Sequence, residues 1–126
     1  MKNSKTIDLN ADLGEYSSVD VLNYEMSLIH HITSASIACG GHAGDQESIG
    51  NMIEHCTSHN VLFGPHPSYP DKKAFGRKRL SISDAVLVDS IIDQVSFFFE
   101  IANPAHTPII VCSATPTLMN LLLCFF

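Results

Sequence analysis

The chain contains 126 residues, of which 45% are hydrophobic and 16% are charged, so it can bury a core and is not expected to be disordered. Its net charge of −6 and its lack of a basic stripe exclude a typical nucleic-acid-binding protein. No segment reaches the roughly 18 apolar residues of a membrane span, and the N-terminus does not resemble a signal peptide. We therefore expect residues 1–126 to form a single cytoplasmic domain with neither a nucleic-acid nor a membrane partner.

Short strand patterns alternate with helical patterns along the first half of the chain. The first strand is predicted at Thr6–Asn10, where apolar and polar residues alternate. A polar stretch then offers caps for a helix over roughly residues 19–29. A second strand is predicted at residues 35–39. It is followed by a helix with Asp45 as its N-cap, which ends near Asn60.

The same alternation continues in the second half. A third strand is predicted at residues 61–63, after which three prolines indicate a stiff loop over residues 64–71. Ser81 and Asp84 suit a capping box for a third helix. The apolar stripe of that helix comprises Ala85, Val88, Ile91, Ile92, Val95, Phe98 and Phe99. With a fourth strand at residues 109–112, the order predicts an α/β fold with a parallel sheet of about four strands and three helices.

Polar side chains follow each of the first three predicted strands. Ligands of parallel α/β folds bind at the carboxyl ends of the strands. The candidates there are Asp8 and Asn10 on the first strand with Asp12 and Glu15 after it, His42 and Asp45 after the second, and His66 and Asp71 after the third. Gly40, Gly41 and Gly44 allow the backbone to approach a ligand closely, and their N–H groups suit a carboxylate or an oxyanion. Ordinary turn chemistry is the competing interpretation, and three such turns at successive strand ends make it less attractive.

Other patterns give weaker signals. His55 and His59 have the i, i+4 spacing of a helical metal pair, but they lie on the flanks of the apolar face of their helix. The four cysteines show no paired spacing and are expected to be reduced. No GxxxxGK[ST] motif is present, so any nucleotide would be held in another way.

Three motifs in order resemble one family. Residues 7–15 read IDLNADLGE and resemble the opening IDLNxDLGE of the LamB/YcsF lactam-utilisation family. Residues 33–45, TSASIACGGHAGD, resemble its TSANIACGFHAGD. Residues 64–71, GPHPSYPD, and the FGR at 75–77 resemble its GAHPxYPD and FGR, so that the resemblance covers about residues 5–102.

The resemblance implies a parallel (β/α) barrel of the glycoside hydrolase/deacetylase-like type. It also implies ATP-driven opening of 5-oxoproline to glutamate, together with the B and C subunits of 5-oxoprolinase. The catalytic residues that it implies are Asp8, Asp12, Glu15, His42 and His66. The substrate-binding residues that it implies are Asn10, Gly40, Gly41, Asp45, Asp71 and Arg77. A divalent metal held by Asp12, His42 and His66, as in related deacetylase-like barrels, remains an open alternative.

The sequence also departs from the family pattern. Ala11, Gly41 and Pro65 replace the usual cysteine, phenylalanine and alanine, and residues 111–120 read VCSATPTLMN where the family carries HVKPHGALYN. We therefore interpret residues 103–126 as a divergent segment. A complete barrel needs roughly 250 residues, so this sequence predicts the N-terminal half, with an open sheet edge and a tendency to self-associate. A metal-dependent amide or carbohydrate hydrolase and an inactive truncated fragment are the alternative interpretations.

Overall fold

The structure is a computed structural model and describes residues 6–102. Its sheet has three parallel strands in chain order, which are β1 (Asn10–Leu13), β2 (Ser34–Ala38) and β3 (Leu62–His66). The predicted α/β class with a parallel sheet is confirmed. The fourth strand predicted at residues 109–112 and the divergent segment 103–126 lie outside the described residues.

Three helices follow the strands, as the sequence predicts. They are α1 (Val19–Leu28), α2 (Gln46–Ser58) and α3 (Asp84–Ala102), and a short 3₁₀ turn, Ile29–His31, extends α1. The predicted N-cap of α2 is confirmed: Asp45 accepts from the backbone N–H of Ser48, and Ser48 completes a capping box. At α3 the capping hydrogen bond comes from Ser83, whose Oγ accepts from Val86 N at 3.3 Å, and not from the predicted Ser81.

Two strand boundaries differ from the prediction. β1 begins at Asn10 and not at Thr6, because its pairing with β2 starts opposite Ser34. β3 runs through Pro65 to His66, where a loop was predicted. Proline lacks the N–H that an inner strand needs, and within the described residues β3 pairs with β2 alone, so this edge strand tolerates it.

The core lies between the sheet and the helices. Its largest fully buried apolar side chains include Leu13, Ile37, Ile49, Met52, Phe63 and Phe98. Cys39 and Cys56 lie in this core as thiols that form no disulfide, and burial raises the pKa of Cys56 to about 12. Both described cysteines are therefore reduced and buried, as expected.

The buried face of α3 differs from the predicted stripe. The helix buries Leu87, Gln94, Phe98 and Ala102. Three members of the predicted stripe are about half exposed, namely Val88 at 52%, Ile92 at 55% and Phe99 at 45%. The helix is apolar on both sides, and the side that packs inward carries a polar residue, Gln94, whose partners are described below.

Replacing Asp45 by alanine is expected to lower the free energy of unfolding by about 0.5–2 kcal/mol at neutral pH, because α2 loses its cap. The backbone N–H of Ser48 holds the pKa of Asp45 below its ordinary value. Because the pKa is lowered, ionised Asp45 raises the free energy of unfolding at pH values above the ordinary pKa of 3.8. This contribution is lost as the pH falls through the lower pKa of the folded state.

The matched control is Asp45→Asn, which keeps an oxygen acceptor but cannot ionise. Urea unfolding of the three proteins between pH 2 and pH 7 measures both effects. The asparagine variant should retain most of the stability at pH 7 and show a flatter acid limb. An unchanged limb in that variant would show that Asp45 does not contribute to the pH dependence.

Candidate functional site

Three strand ends place a carboxylate and two imidazoles at one edge of the sheet. His66 is the last residue of β3 and pairs with Ala38, the last residue of β2. Glu15 follows β1 by two residues, and His42 follows β2 by four. The carboxyl ends of neighbouring parallel strands lie at the same edge, which brings Glu15, His42 and His66 together.

The distances in this cluster are short. Glu15 Oε1 lies 2.5 Å from His42 Nε2 and 3.8 Å from His66 Nε2. The two imidazole rings meet edge to face with centroids 5.2 Å apart. Both histidines are 3% exposed, whereas Glu15 is partly accessible. The site therefore has two buried imidazoles whose shared carboxylate faces the outside.

Asp12 lies beside this cluster on β1. Its Oδ2 atom is 3.6 Å from His66 Nε2. Glu15, His42 and His66 each contribute one potential metal-ligand atom, and these three atoms lie within 4.8 Å of one another. In this set Glu15 stands where the sequence predicted Asp12 as the carboxylate ligand. The sequence identified both acids as candidates but not their relative positions.

This set of donors suits a divalent ion such as Zn²⁺, because one carboxylate and two imidazoles leave a position for water or substrate. A tetrahedral ion with bonds of about 2.0–2.2 Å holds its donors about 3.3–3.6 Å apart. The His66–Glu15 distance of 3.8 Å is close to that range. The His42–Glu15 distance of 2.5 Å would need to lengthen by about 1 Å. With Glu15 moved by about 1 Å, both of its distances to the histidines suit an ion, and the three donor atoms lie within 4.8 Å of one another.

A buried acid on α1 holds the loop that carries Glu15. Glu25 is 5% exposed and accepts hydrogen bonds from the backbone N–H groups of Gly14 at 2.7 Å and Glu15 at 3.0 Å. Burial raises the pKa of Glu25, and these two hydrogen bonds oppose the rise. Glu25 is not among the residues predicted from the sequence. An acid among the apolar positions of α1 was the available signal.

Asp8 and Asn10 lie at the other end of the strands. Asn10 pairs with Ser34, and His66 pairs with Ala38, which lies four residues further along β2. Four residues correspond to about 13 Å along a strand. The side chains of Asp8 and Asn10 hydrogen-bond to β2 and the residue before it: Asp8 to Thr33 and Ser34, and Asn10 to Ser34 and Ser36. The hydroxyls of Thr33 and Ser34 lower the pKa of Asp8. The catalytic and substrate-binding roles of Asp8 and Asn10 stay predictions.

The glycine turn after β2 lies beside an open groove. The N–H of Gly40 donates to Ala43 O at 2.7 Å, and the carboxylate of Asp45 caps α2, so both groups already have partners within the chain. A groove of about 390 Å³ adjoins them, lined among others by Cys39, Gly40, Gly44, Asp45, Lys72 and Phe97. Substrate binding by Gly40, Gly41 and Asp45 stays a prediction.

Asp71 and Arg77 belong to the loop that covers His42. The Asp71 carboxylate accepts from Lys73 N and Ala74 N, both at 3.1 Å, and so shapes this loop. The guanidinium of Arg77 lies 5.7 Å from the centre of the Phe75 ring, and that ring packs edge to face on His42 at 4.9 Å. Arg77 is thus linked to the cluster through Phe75, and its substrate-binding role and that of Asp71 stay predictions.

Comparisons with known proteins agree on one family. The model of the LamB/YcsF family matches residues 7–122. A 5-oxoprolinase A subunit from Corynebacterium jeikeium is 34% identical over 108 residues, which are 86% of this chain and 42% of that protein. A 5-oxoprolinase A subunit from Staphylococcus aureus is 39% identical over 89 residues, which are 71% of this chain and 36% of that protein. The chain thus spans less than half the length of these relatives.

A solved structure gives the same result for the fold. The crystal structure of a lactam utilization protein from Thermus thermophilus matches with a TM-score of 0.79 and 25% identity, over 90% of this chain and 46% of that one. The predicted barrel-type α/β fold is confirmed, with about half of the neighbour's length represented. Within the described residues, no helix is both long and apolar enough to span a membrane.

Proposed function

Because the chain belongs to the LamB/YcsF family, we propose that it carries part of the active site of a protein that resembles the A subunit of 5-oxoprolinase. The observation that carries this proposal is the meeting of the Glu15 carboxylate with the His42 and His66 imidazoles at three strand ends. The proposed reaction is ATP-dependent opening of 5-oxoproline to L-glutamate. The relatives are named as one subunit of an enzyme, which supports action together with other subunits. We propose that these are the predicted B and C subunits and that the protein acts in the cytoplasm.

An unstrained lactam resists water, so its carbonyl carbon must be made more electrophilic before the ring can open. In the proposed sequence ATP phosphorylates that oxygen, water adds to the carbonyl carbon while the ring C–N bond breaks, and a second water hydrolyses the acyl phosphate. One ATP and two water molecules give glutamate, ADP and phosphate. The ring nitrogen must gain a proton, and the attacking water must lose one.

The cluster offers groups for both proton transfers. Glu15 and His42 are joined at 2.5 Å and together accept the proton of the attacking water. His66 lies beside a second acid, with Asp12 Oδ2 at 3.6 Å, and donates to the ring nitrogen. Burial of both imidazoles keeps bulk water away from them and strengthens their interaction with the carboxylates.

The test is reconstitution of the reaction. The 126-residue chain is mixed with the B and C subunits of a 5-oxoprolinase, purified without the A subunit, and with ATP and 5-oxoproline, and glutamate is measured. We expect more glutamate from the wild-type chain than from His66→Ala, because the variant lacks the proposed proton donor. Equal yields from the two proteins would contradict the proposal.

A second candidate function is metal-dependent hydrolysis of an amide or a carbohydrate. It is favoured by the three potential ligand atoms of Glu15, His42 and His66 within 4.8 Å. Chelator-washed protein is reloaded with Zn²⁺ and its metal content measured. We expect about one ion per chain for the wild type and much less for His66→Ala.

The control for the metal experiment is His55→Ala. His55 and His59 have the spacing of a metal pair, but His59 Nδ1 lies 2.8 Å from the backbone oxygen of His55. His55 lies in the last turn of α2 and His59 is its C-cap, so neither belongs to the cluster. This variant should bind as much Zn²⁺ as the wild type. No stoichiometric metal in the wild type, or a loss that is equal in both variants, would rule out the metal-dependent candidate.

A further inference from the structure

A buried hydrogen-bond chain joins α3 to the ring of His42 through Ser68. Ser68 is 0% exposed, and its Oγ lies 2.8 Å from His42 Nδ1. Its backbone is held from the other side by Gln94, whose Oε1 accepts from Ser68 N at 3.0 Å and whose Nε2 donates to Ser68 O at 2.9 Å. The amide orientation follows from these partners, since the opposite orientation would face donor with donor and acceptor with acceptor.

The positions of the protons in this hydrogen-bond chain follow from the atoms that can only accept. The carbonyl oxygen of Tyr69 can only accept, and it lies 3.0 Å from Ser68 Oγ, so it takes the hydroxyl proton. The Ser68 oxygen then accepts from His42, which requires a proton on Nδ1. The other ring nitrogen, Nε2, lies 2.5 Å from Glu15 Oε1, a distance that needs a proton between the two atoms, so Nε2 shares a proton with the Glu15 carboxylate.

We propose that Ser68 and Gln94 are positioning residues that hold His42 with a proton on Nδ1 and with its Nε2 turned toward Glu15. Gln94 acts at one remove, by fixing the backbone of Ser68 from α3. The assignment stands on these hydrogen bonds, and only its effect on turnover rests on the proposed function. It also accounts for the polar residue on the inward face of α3.

The packing around Gly41 agrees with this role. A Cβ atom at that position would lie 2.3 Å from Gln94 Oε1 and 2.4 Å from Ser68 Oγ. A side chain there would therefore displace both members of the hydrogen-bond chain. Gly41→Ala should disturb His42 in the same way as a direct change of Ser68.

The test is nitrogen NMR of the imidazole rings, which distinguishes a protonated from an unprotonated ring nitrogen. In the wild-type chain at neutral pH we expect Nδ1 of His42 to be protonated. In Ser68→Ala the acceptor of the Nδ1 proton is lost, and we expect Nδ1 to become unprotonated while Nε2 keeps the proton that it shares with Glu15. An unprotonated Nδ1 in the wild type, or an unchanged His42 signal in folded Ser68→Ala, would overturn the proposal.

The matched control is Ser58→Ala. Ser58 is exposed, and its Oγ lies 3.1 Å from Nδ1 of His59, so this variant removes a serine–histidine contact outside the site. Its His42 signal should equal that of the wild type. Gln94→Glu is an additional variant, because it keeps the acceptor for Ser68 N but loses the donor to Ser68 O. It should shift the His42 signal by less than Ser68→Ala does.

Kinetics in the reconstituted reaction supply a separate measurement. Ser68→Ala should lower kcat roughly 10- to 100-fold with little change in KM, as for other residues that orient a reactive histidine. A wild-type chain without turnover would contradict the proposed function and would leave the NMR result valid. A change in KM alone would contradict the positioning role.

Discussion

Glu15→Gln is expected to lower the turnover of the reconstituted lactam-opening reaction by roughly 10²–10⁴-fold. Glu15 is the acid whose Oε1 approaches both imidazoles, at 2.5 Å from His42 Nε2 and 3.8 Å from His66 Nε2. Glutamine has almost the same size, but it is neutral and carries no proton that it can exchange. The measurement is glutamate formed per chain under saturating ATP and 5-oxoproline.

The control for this prediction is Glu54→Gln, an exposed acid on α2. It makes the same chemical change outside the cluster and should leave turnover unchanged. Urea unfolding of both variants tests whether the fold is preserved. Full turnover in a folded Glu15→Gln protein would remove Glu15 from the proposed proton transfers.

Gly44→Ala is expected to destabilise the chain strongly and to disorganise the turn that carries His42. Gly44 has a φ of +91°, and a Cβ atom there would lie 2.3 Å from the backbone oxygen of Ala38. The backbone conformation alone costs on the order of 1–3 kcal/mol for a residue with a side chain. The overlap adds to this because Ala38 is the last residue of β2 and cannot move without disturbing the sheet.

Gly50→Ala supplies the comparison for that prediction. Gly50 lies inside α2, and a Cβ atom there would meet nothing within 4 Å. Alanine in a helix interior is favoured over glycine by roughly 0.5–1 kcal/mol, so this variant should be more stable than the wild type. Equal stability of the Gly44 and Gly50 variants in urea unfolding would show that the turn after β2 does not have the described conformation.

The sequence was sufficient to predict which strand ends carry the candidate cluster. The alternation of strands and helices placed Glu15, His42 and His66 after three successive strands, and parallel strands bring such ends together. The cap of α2 by Asp45 was equally visible, because an aspartate before an apolar helical pattern is a local signal. These features depend on residues close in sequence or on the topology alone.

Other features depended on contacts that sequence patterns do not encode. The inward face of α3 is set partly by Gln94, whose partner Ser68 lies 26 residues away. A count of apolar positions therefore placed the stripe beside the buried face, with Phe98 common to both. In the sequence Pro65 argued against a strand, because proline is tolerated only in edge strands. That β3 lies at the edge of the described sheet follows from the arrangement of the other strands. Whether Asp12 or Glu15 faces both histidines depended on the conformation of the loop held by Glu25.

The most direct test of the account is a nuclear Overhauser measurement between the imidazole protons of His42 and His66. The ring centroids are 5.2 Å apart with an edge-to-face arrangement, so a cross-peak between the two rings is expected. The Phe75 ring, 4.9 Å from that of His42, supplies an internal reference in the same spectrum. A His42–Phe75 cross-peak without any His42–His66 cross-peak would contradict the claim that these strand ends form one site.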